Sequence, residues 1–253
     1  MSVAGGTDSE RKLRLLRNHI ALIFCLVSVA ASGCATSSEW VTIRDTPRNP
    51  LAGTLNLLSP GGPKPTTRTL QLLRRYDLEK DLSGDRAALL ARLEDIQRSE
   101  PDREHEYAMA ELAYIAATQA EQLHQDRALE FYGSALTHAY RYLFDYNCQL
   151  SCNPYDPQFR GASDLYNQSL ESLLRLMRQE SELRPGTART ITTANHTCTL
   201  DVVMNSKGWH AEDIERFEFV SNYKIQGLRN HYHSYGLGVP LIAVRKSHGE
   251  LNP

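Results

Sequence analysis

The chain has no long hydrophobic run and no large excess of charge of either sign. Its longest apolar stretch, residues 20–31, spans about twelve residues, whereas a helix that crosses a bilayer core needs roughly 20. Lysine and arginine number 28 and aspartate and glutamate 30, which gives a formal net charge of −2. Since no domain-wide basic surface follows from this balance, we do not expect a nucleic acid partner.

Familiar catalytic motifs are also missing. The chain has no Gly-x-Ser-x-Gly elbow, which would place a serine nucleophile on a strand-to-helix turn. Gly133 and Ser134 instead fall inside a strongly helical pattern. The run Gly236-Leu237-Gly238 lacks the third glycine and the following helix of a dinucleotide-binding loop. We therefore assign no catalytic residue, and the sequence leaves open whether the protein is an enzyme.

Metal-ligand patterns are weak as well. His231 and His233 would present two imidazoles on one side of a strand, but no third ligand stands at a useful spacing. Exposed polar histidines are therefore favoured over a metal site. The Glu-His-Glu run at residues 104–106 is typical of a solvated helix face. The sequence predicts no metal and no cofactor, and a metal-assisted hydrolase using His231 and His233 ranks third among the hypotheses.

The N-terminus contains the parts of a secretory signal. Basic residues within 11–17 precede the apolar stretch, and small residues at 32–33 precede Cys34. This arrangement resembles the lipobox of bacterial lipoproteins, with Ala31 where most lipoboxes carry Leu. The resemblance implies that residues 1–33 are a lipoprotein signal peptide and that Cys34 carries acyl chains.

Acylation of Cys34 would attach the protein to a membrane of the cell envelope, facing the periplasm. Two or three acyl chains hold a protein firmly, where one gives only reversible binding. In Gram-negative lipoproteins an Asp after the Cys favours the inner membrane; because Ala35 stands there, the resemblance favours the outer membrane. Two alternatives remain: an ordinary secretory cleavage site near Cys34, and a single N-terminal transmembrane helix.

Three further cysteines follow Cys34, namely Cys148, Cys152 and Cys198. Cys148 and Cys152 flank a short polar loop, and in an oxidising envelope compartment they are candidates for a local disulfide. Two unpaired loop thiols are the alternative. A zinc site is not favoured, because a cysteine pair alone supplies too few ligands.

Proline and glycine are concentrated in residues 34–65, a composition that cannot sustain a long helix. This segment is predicted to be a tether, with a short strand at residues 40–43. Helical patterns follow over residues 66–185, with helices that begin near Thr66, Ser83, Pro101, Leu129 and Gln158. The last of these is expected to reach Leu183. We predict a mainly helical fold, with a helical bundle over these residues.

The third and fourth of these helices have small residues that permit close packing. Their pattern resembles a single tetratricopeptide-type helical hairpin, carried by Leu112, Ile115, Ala116, Ala128, Tyr132 and Ala135. Because a solenoid usually needs at least three repeats, a bundle with one tetratricopeptide-like pair is favoured over an array.

Residues 186–253 are richer in β-branched residues than the helical region. We predict strands at residues 187–193, 197–204, 223–226 and 239–244, the last of them buried, and an amphipathic helix at residues 210–220 that buries Ile214 and Phe217. The region is expected to be a small, incomplete α/β domain. Gly236 and Gly238 permit a close backbone approach in the turn that leads into the last strand, and a plain turn is the alternative.

Four groups of motifs are spread over the mature chain: Asp-Thr-Pro-Arg-Asn-Pro-Leu at 45–51, Arg-Thr-Leu at 68–70 with Leu-Arg-Arg-Tyr at 73–76, Asp-Leu-Tyr-Asn at 164–167 with Ser-Leu at 169–170, and Gly-Leu-Arg-Asn at 227–230 leading to Tyr-Gly-Leu-Gly-Val-Pro-Leu-Ile-Ala at 235–243. Together they resemble the N-terminal region of envelope-located α/β-hydrolase-like proteins. In those proteins a lipoprotein signal and a helical region precede a hydrolase domain of the esterase or lipase type. The resemblance implies that this chain is the non-catalytic part, with the catalytic Ser, His and acid beyond Pro253.

A second hypothesis is a stand-alone binding or scaffold lipoprotein. In it, the helices over residues 112–143 present a peptide groove to an envelope partner protein. Tyr132 and Tyr142 are the aromatic side chains expected to contact that partner.

Overall fold

The computed structural model describes residues 41–60, 62–124, 126–144, 155–180, 183–192, 197–206, 208–225 and 236–246. Contacts divide the chain into two units. Residues 43–224 with 228–253 form one, and residues 1–42 with 225–227 form the other. All helices of the described ranges belong to the first unit.

The described part of the chain is mainly helical, as the sequence predicts. Its six α-helices are α1 (Leu51–Thr54), α2 (Thr67–Arg75), α3 (Arg86–Ser99), α4 (Arg103–Gln122), α5 (Ala128–Phe144) and α6 (Pro157–Gln179). Five of them match the predicted helices in order and position. The last ends at Gln179 rather than at Leu183.

Aspartate side chains define the start of three helices. Asp85, Asp102 and Asp156 each accept a hydrogen bond from the backbone N–H two residues later, at 2.9, 3.0 and 2.9 Å. Such a cap satisfies one of the N–H groups that the first helical turn leaves unpaired. Pro157 then occupies the first turn of α6, where its missing N–H has no consequence. These local signals explain why the helix starts could be predicted from the sequence.

Helix α4 is the centre of the helical unit. Every residue from 105 to 117 is buried, and the helix contacts α2, α3, α5 and α6. Alanines 108, 110, 113 and 117 are at most 1 % exposed, which lets neighbouring backbones approach closely. The ring of Tyr114 meets that of Tyr132 edge-on, with 5.8 Å between centroids. Helices α4 and α5, the pair with the tetratricopeptide-like pattern, therefore pack directly against each other.

Short strands lie mostly near the C-terminus, also as predicted. They are β1 (Val41–Ile43), β2 (Ala188–Thr192), β3 (Thr197–Asp201), β4 (Ile214–Phe219), β5 (Tyr223–Ile225) and β6 (Leu241–Arg245). Strands β2 and β3 pair antiparallel, with Ala188 opposite Asp201. Strands β4 and β6 also pair antiparallel, with Phe219 opposite Leu241.

The predicted amphipathic helix at residues 210–220 is wrong. The segment forms a short 3-10 turn at Ala211–Asp213 and then strand β4. Ile214 is buried, but the fully buried aromatic ring is that of Phe219, while Phe217 is half-buried. The three-residue spacing of Ile214 and Phe217 suggested a helix, but this segment pairs with β6 and forms a strand instead.

The strand predicted at residues 239–244 is present, but the prediction that it is buried is wrong. Strand β6 forms there, but Ile242, Ala243 and Arg245 are exposed, and Leu241 and Val244 are half-buried. Within the described residues the strand has one partner, β4. Its apolar composition thus leaves hydrophobic surface on the outside of the unit.

Candidate functional site

A histidine held between two glutamates lies buried among the helices. Glu94 of α3, Glu106 of α4 and His138 of α5 are 5 %, 4 % and 1 % exposed. His138 Nδ1 lies 2.7 Å from Glu106 Oε2, and its Nε2 lies 3.5 Å from Glu94 Oε1. We call these three side chains the buried triad.

The imidazole of the buried triad favours its charged form. Burial lowers the pKa of His138, but hydrogen bonds and the negative charges of Glu106 and Glu94 outweigh this effect and raise it above the ordinary value. A charge in a protein interior is costly unless hydrogen bonds and ion pairs stabilise it, and the two glutamates supply such partners to His138.

A chain of hydrogen bonds connects the triad with the surface. Gln97 Nε2 donates to Glu106 at 3.0 Å, and Gln97 Oε1 faces His105 Nδ1 at 3.0 Å. His105 Nε2 lies 3.0 Å from the hydroxyl of Tyr76, which also lies 3.1 Å from Glu100 Oε2. Four helical segments are therefore joined by one polar network.

The hydrogen of the Tyr76 hydroxyl is shared within this network. The amide oxygen of Gln97 can only accept, so Nδ1 of His105 must donate to it. Nε2 of His105 and Oε2 of Glu100 both lie within hydrogen-bond distance of the Tyr76 hydroxyl, whose single hydrogen can be donated to only one of them at a time.

The prediction that residues 104–106 form a solvated face is wrong for two of the three. Glu104 pairs with Arg68 at 2.7 Å near the surface, but His105 and Glu106 are buried. The reason is that α4 is surrounded by other helices, so its polar side chains find partners on them. One sequence feature that could have indicated the buried triad is His138, a polar residue within the apolar stripe of α5.

Beside the triad lies a cavity of about 210 Å³ between α3 and α5. Its lining includes Glu94, Ser134, Leu90, Phe131, Arg127 and Glu130, with Thr192 at the end of β2. Leu90, Glu94 and Ser134 are buried, whereas Arg127 and Glu130 are exposed. The cavity therefore has a buried floor that contains one member of the triad and a charged rim.

An apolar groove of about 420 Å³ lies on the pair β4–β6 and the segment before it. Met204, Trp209, Ile214, Phe217 and Ala243 supply almost all of its wall. Trp209 is 44 % exposed, which is high for so large an apolar ring.

The glycines singled out in the sequence lie in the bend before β6. Gly238 has a φ of +130°, a conformation that residues with a side chain rarely adopt. The side chain of Asn167 on α6 contacts both glycines: its Nδ2 donates to the carbonyl of Gly236 at 3.0 Å, and its Oδ1 accepts from the N–H of Gly238 at 2.7 Å. This two-point contact fixes the start of β6 against α6.

The remaining candidate residues, Cys34, Cys148, Cys152, His231 and His233, lie outside the described residues. Across the ranges that are described, no group of three His, Cys, Asp or Glu side chains has the geometry to hold a metal ion. In the same ranges, every helix is too short or too polar to span a membrane.

In comparisons with known proteins, no family model, curated protein or solved structure matches the chain.

Proposed function

We propose that this chain is a membrane-tethered envelope lipoprotein that corresponds to the non-catalytic N-terminal part of an α/β-hydrolase-like esterase. The observation that supports this best is the apolar groove on β4–β6. Hydrolysis would be carried out by a domain that packs on that groove, and the helical unit would serve as its cap or docking base.

The shape of the β4–β6 pair supports a covering domain. Each strand has one partner within the described residues, and a strand edge attracts a further strand through its unpaired N–H and C=O groups. Trp209, which lines the groove, is 44 % exposed. Apolar surface of this kind on one side of a sheet is typical of a protein interface.

Labelling of native membranes with a fluorophosphonate, which reacts with serine hydrolases, tests this proposal. An antibody against residues 66–185 should precipitate a labelled hydrolase, either as one polypeptide with the chain or as its bound partner. Trp209→Ser should release a separate hydrolase, whereas Leu123→Ser, at an exposed site directly after α4, should not. Membranes in which the precipitate never carries the label would contradict the proposal.

A separate experiment tests the proposal that this chain is not itself catalytic. Ser134 lies one helical turn before His138 and is the serine that a hidden hydrolytic site would use. The purified full chain should not hydrolyse p-nitrophenyl butyrate. Hydrolysis that Ser134→Ala abolishes would place catalysis in this chain and overturn the assignment.

The lipid anchor is tested separately from the hydrolase. Cells grown with an alkyne-bearing fatty acid should label the wild-type protein, and Cys34→Ala should remove the label. The variant should also leave the membrane fraction. Equal labelling of both proteins would contradict the lipoprotein proposal, but it would have no bearing on the proposed docking groove.

The alternative, a scaffold lipoprotein, is supported by exposed aromatic rings at the end of α5. Tyr140 and Phe144 are 53 % and 38 % exposed, with ring centroids 4.8 Å apart. Tyr132 and Tyr142, expected to contact a partner, are buried instead. Cross-linking in envelope membranes should therefore capture a partner that Tyr140→Ser loses and Leu123→Ser retains.

A further inference from the structure

Strand β6 has an open outer edge in the part of the chain that the structure describes. Within those residues it pairs with β4 alone, and Ile242, Ala243 and Arg245 are exposed. Natural proteins usually protect such an edge with lysine, with proline or with a bulge. Residues 241–244 are instead Leu-Ile-Ala-Val, and the register shift of the pair lies on β4. The edge of β6 is therefore suited to pairing with a further strand.

The pairing with β4 determines which backbone groups of β6 point outward. At one end of the pair the N–H of Val220 donates to the carbonyl of Pro240 at 3.2 Å, and at the other the N–H of Lys246 donates to the carbonyl of Asp213 at 2.8 Å. Hydrogen-bonded positions alternate along an antiparallel pair, so the even-numbered residues of β6 direct their backbone groups towards β4. The outward N–H and C=O groups belong to the odd-numbered residues, which are Leu241, Ala243 and Arg245.

A second copy of β6 can pair with all of these outward groups. When two copies run antiparallel around a twofold axis at Ala243, Leu241 of each copy lies opposite Arg245 of the other. Each of these opposite pairs then exchanges two backbone hydrogen bonds, as does the central pair of alanines. An axis moved by one residue, to Ile242 or to Val244, leaves one outward residue of each β6 without a partner on the other. The backbone therefore favours the axis at Ala243.

The side chains agree with this arrangement. Ile242 of one copy lies opposite Val244 of the other, and β-branched apolar pairs across two strands are stabilising. Each β6 is followed or ended by a cation, at Arg245 and Lys246. The antiparallel arrangement places the cations of the two copies at opposite ends, whereas a parallel one would bring them together, and like charges on neighbouring strands are destabilising.

We propose that the chain forms a homodimer in which the β4–β6 pairs of two copies join through β6 into one four-stranded antiparallel sheet. The dimer uses the edge of β6, and the hydrolase proposed above uses the face that carries the groove, so the two interactions are independent. Because β6 has only five residues, the contact belongs to the small, transient class of interfaces. A dissociation constant in the micromolar range is expected.

Sedimentation of the purified full chain over a range of concentrations tests the proposal. The wild-type protein should dimerise reversibly below about 100 μM. Ala243→Pro should weaken dimerisation at least about tenfold, because two backbone hydrogen bonds of the dimer are lost. The β4–β6 pair should still form, since proline is tolerated where the N–H points away from the neighbouring strand. Ala243→Val keeps the N–H and is the matched control, which should dimerise like the wild type.

Two results of this experiment would overturn the proposal. One is a wild-type chain that stays monomeric at about 100 μM. The other is a dimer that Ala243→Pro leaves intact, with Trp209→Ser abolishing it instead, because association would then use the groove. In the proposed dimer Trp209→Ser has no effect.

Disulfide cross-linking tests the register without a proline. When Ile242→Cys and Val244→Cys chains are mixed and oxidised, a bond should form between position 242 of one chain and position 244 of the other, located by mass spectrometry. Opposite residues of an antiparallel pair are close enough for such a bond. Val203→Cys, at another exposed apolar site, is the control and should not link to either position. Bonds between equivalent positions, or no bond between 242 and 244, would overturn the proposed dimer.

Discussion

Gly133 sets the distance between α5 and the first C-terminal strand. A Cβ built on Gly133 would lie 2.6 Å from Cγ2 of Ile191, a distance that atoms do not tolerate. Ile191 is itself only 2 % exposed and part of the main core. Glycine is therefore required here for close packing, and the contact holds Thr192 at the rim of the cavity beside the triad.

Replacement of Gly133 by alanine should destabilise the protein by about 1–3 kcal/mol, because the buried Ile191 cannot move away freely. Gly53→Ala is the matched control. Gly53 also lies in a helix, α1, but nothing lies within 4 Å of its hypothetical Cβ. Its replacement should be neutral or slightly stabilising. Urea denaturation of both variants measures the difference, and equal midpoints would contradict the close approach at Gly133.

At the level of elements, strand β4 joins the C-terminal strands to the helices. The ring of Phe219 is fully buried, and the guanidinium of Arg175 on α6 covers it at 4.2 Å from the centroid. Arg175 also donates to Glu171, Ser221 and Asn222, at 2.6, 2.9 and 2.7 Å. One arginine thus binds an aromatic ring and three polar groups, and its contacts with the ring of Phe219 and with the two residues after β4 fix β4 on α6.

Two alanine variants distinguish the observed strand β4 from the helix that the sequence pattern suggests for the same residues. In the strand, Phe219→Ala should cost about 3–5 kcal/mol of unfolding free energy, as expected for a fully buried ring. Phe217→Ala should cost clearly less, because that ring is half-buried on the groove. A helix would bury Phe217 with Ile214 and give the opposite order. Guanidinium denaturation of the full chain distinguishes the two outcomes.

The helix starts depend on local sequence signals, whereas the buried triad and strand β4 depend on residues that are distant in the sequence. Aspartates 85, 102 and 156 cap helices two residues away, so the helix starts could be predicted from short stretches of sequence. His138 and Glu106 are 32 positions apart, and β4 depends on a strand that begins more than 20 residues later. No short pattern contains such partners, and this is why the triad and β4 were not predicted.

For the whole molecule, two buried groups make the stability depend on pH in the same direction. Burial raises the pKa of Glu111 to about 7, although hydrogen bonds from Thr66 and Thr69 lower it. The pKa of His138 is raised by its two carboxylates, as described above. Each group therefore holds its proton more tightly in the folded than in the unfolded chain. Stability must fall as the pH rises through either folded pKa.

The free energy of unfolding should consequently decrease between pH 5 and pH 8, by roughly 3 kcal/mol from Glu111 alone between about 4.5 and about 7. Glu79 and Glu218 have lowered pKa values, so their contribution is complete above about pH 4.5 and does not offset this trend. Glu111→Gln should flatten the lower part of the profile, and His138→Gln the part above its unfolded pKa. Denaturation curves across this range would refute the assignment if stability rose with pH.

Helix α4 touches four other helices and buries thirteen consecutive residues, 105 to 117. Loss of any one neighbour would expose part of it to water, so partial opening of the helical unit is costly wherever it starts. The backbone amides of this stretch should therefore exchange with deuterium only when the entire unit unfolds. Their exchange rates would then report the global free energy of unfolding, and the outer helices α1 and α2 should exchange faster.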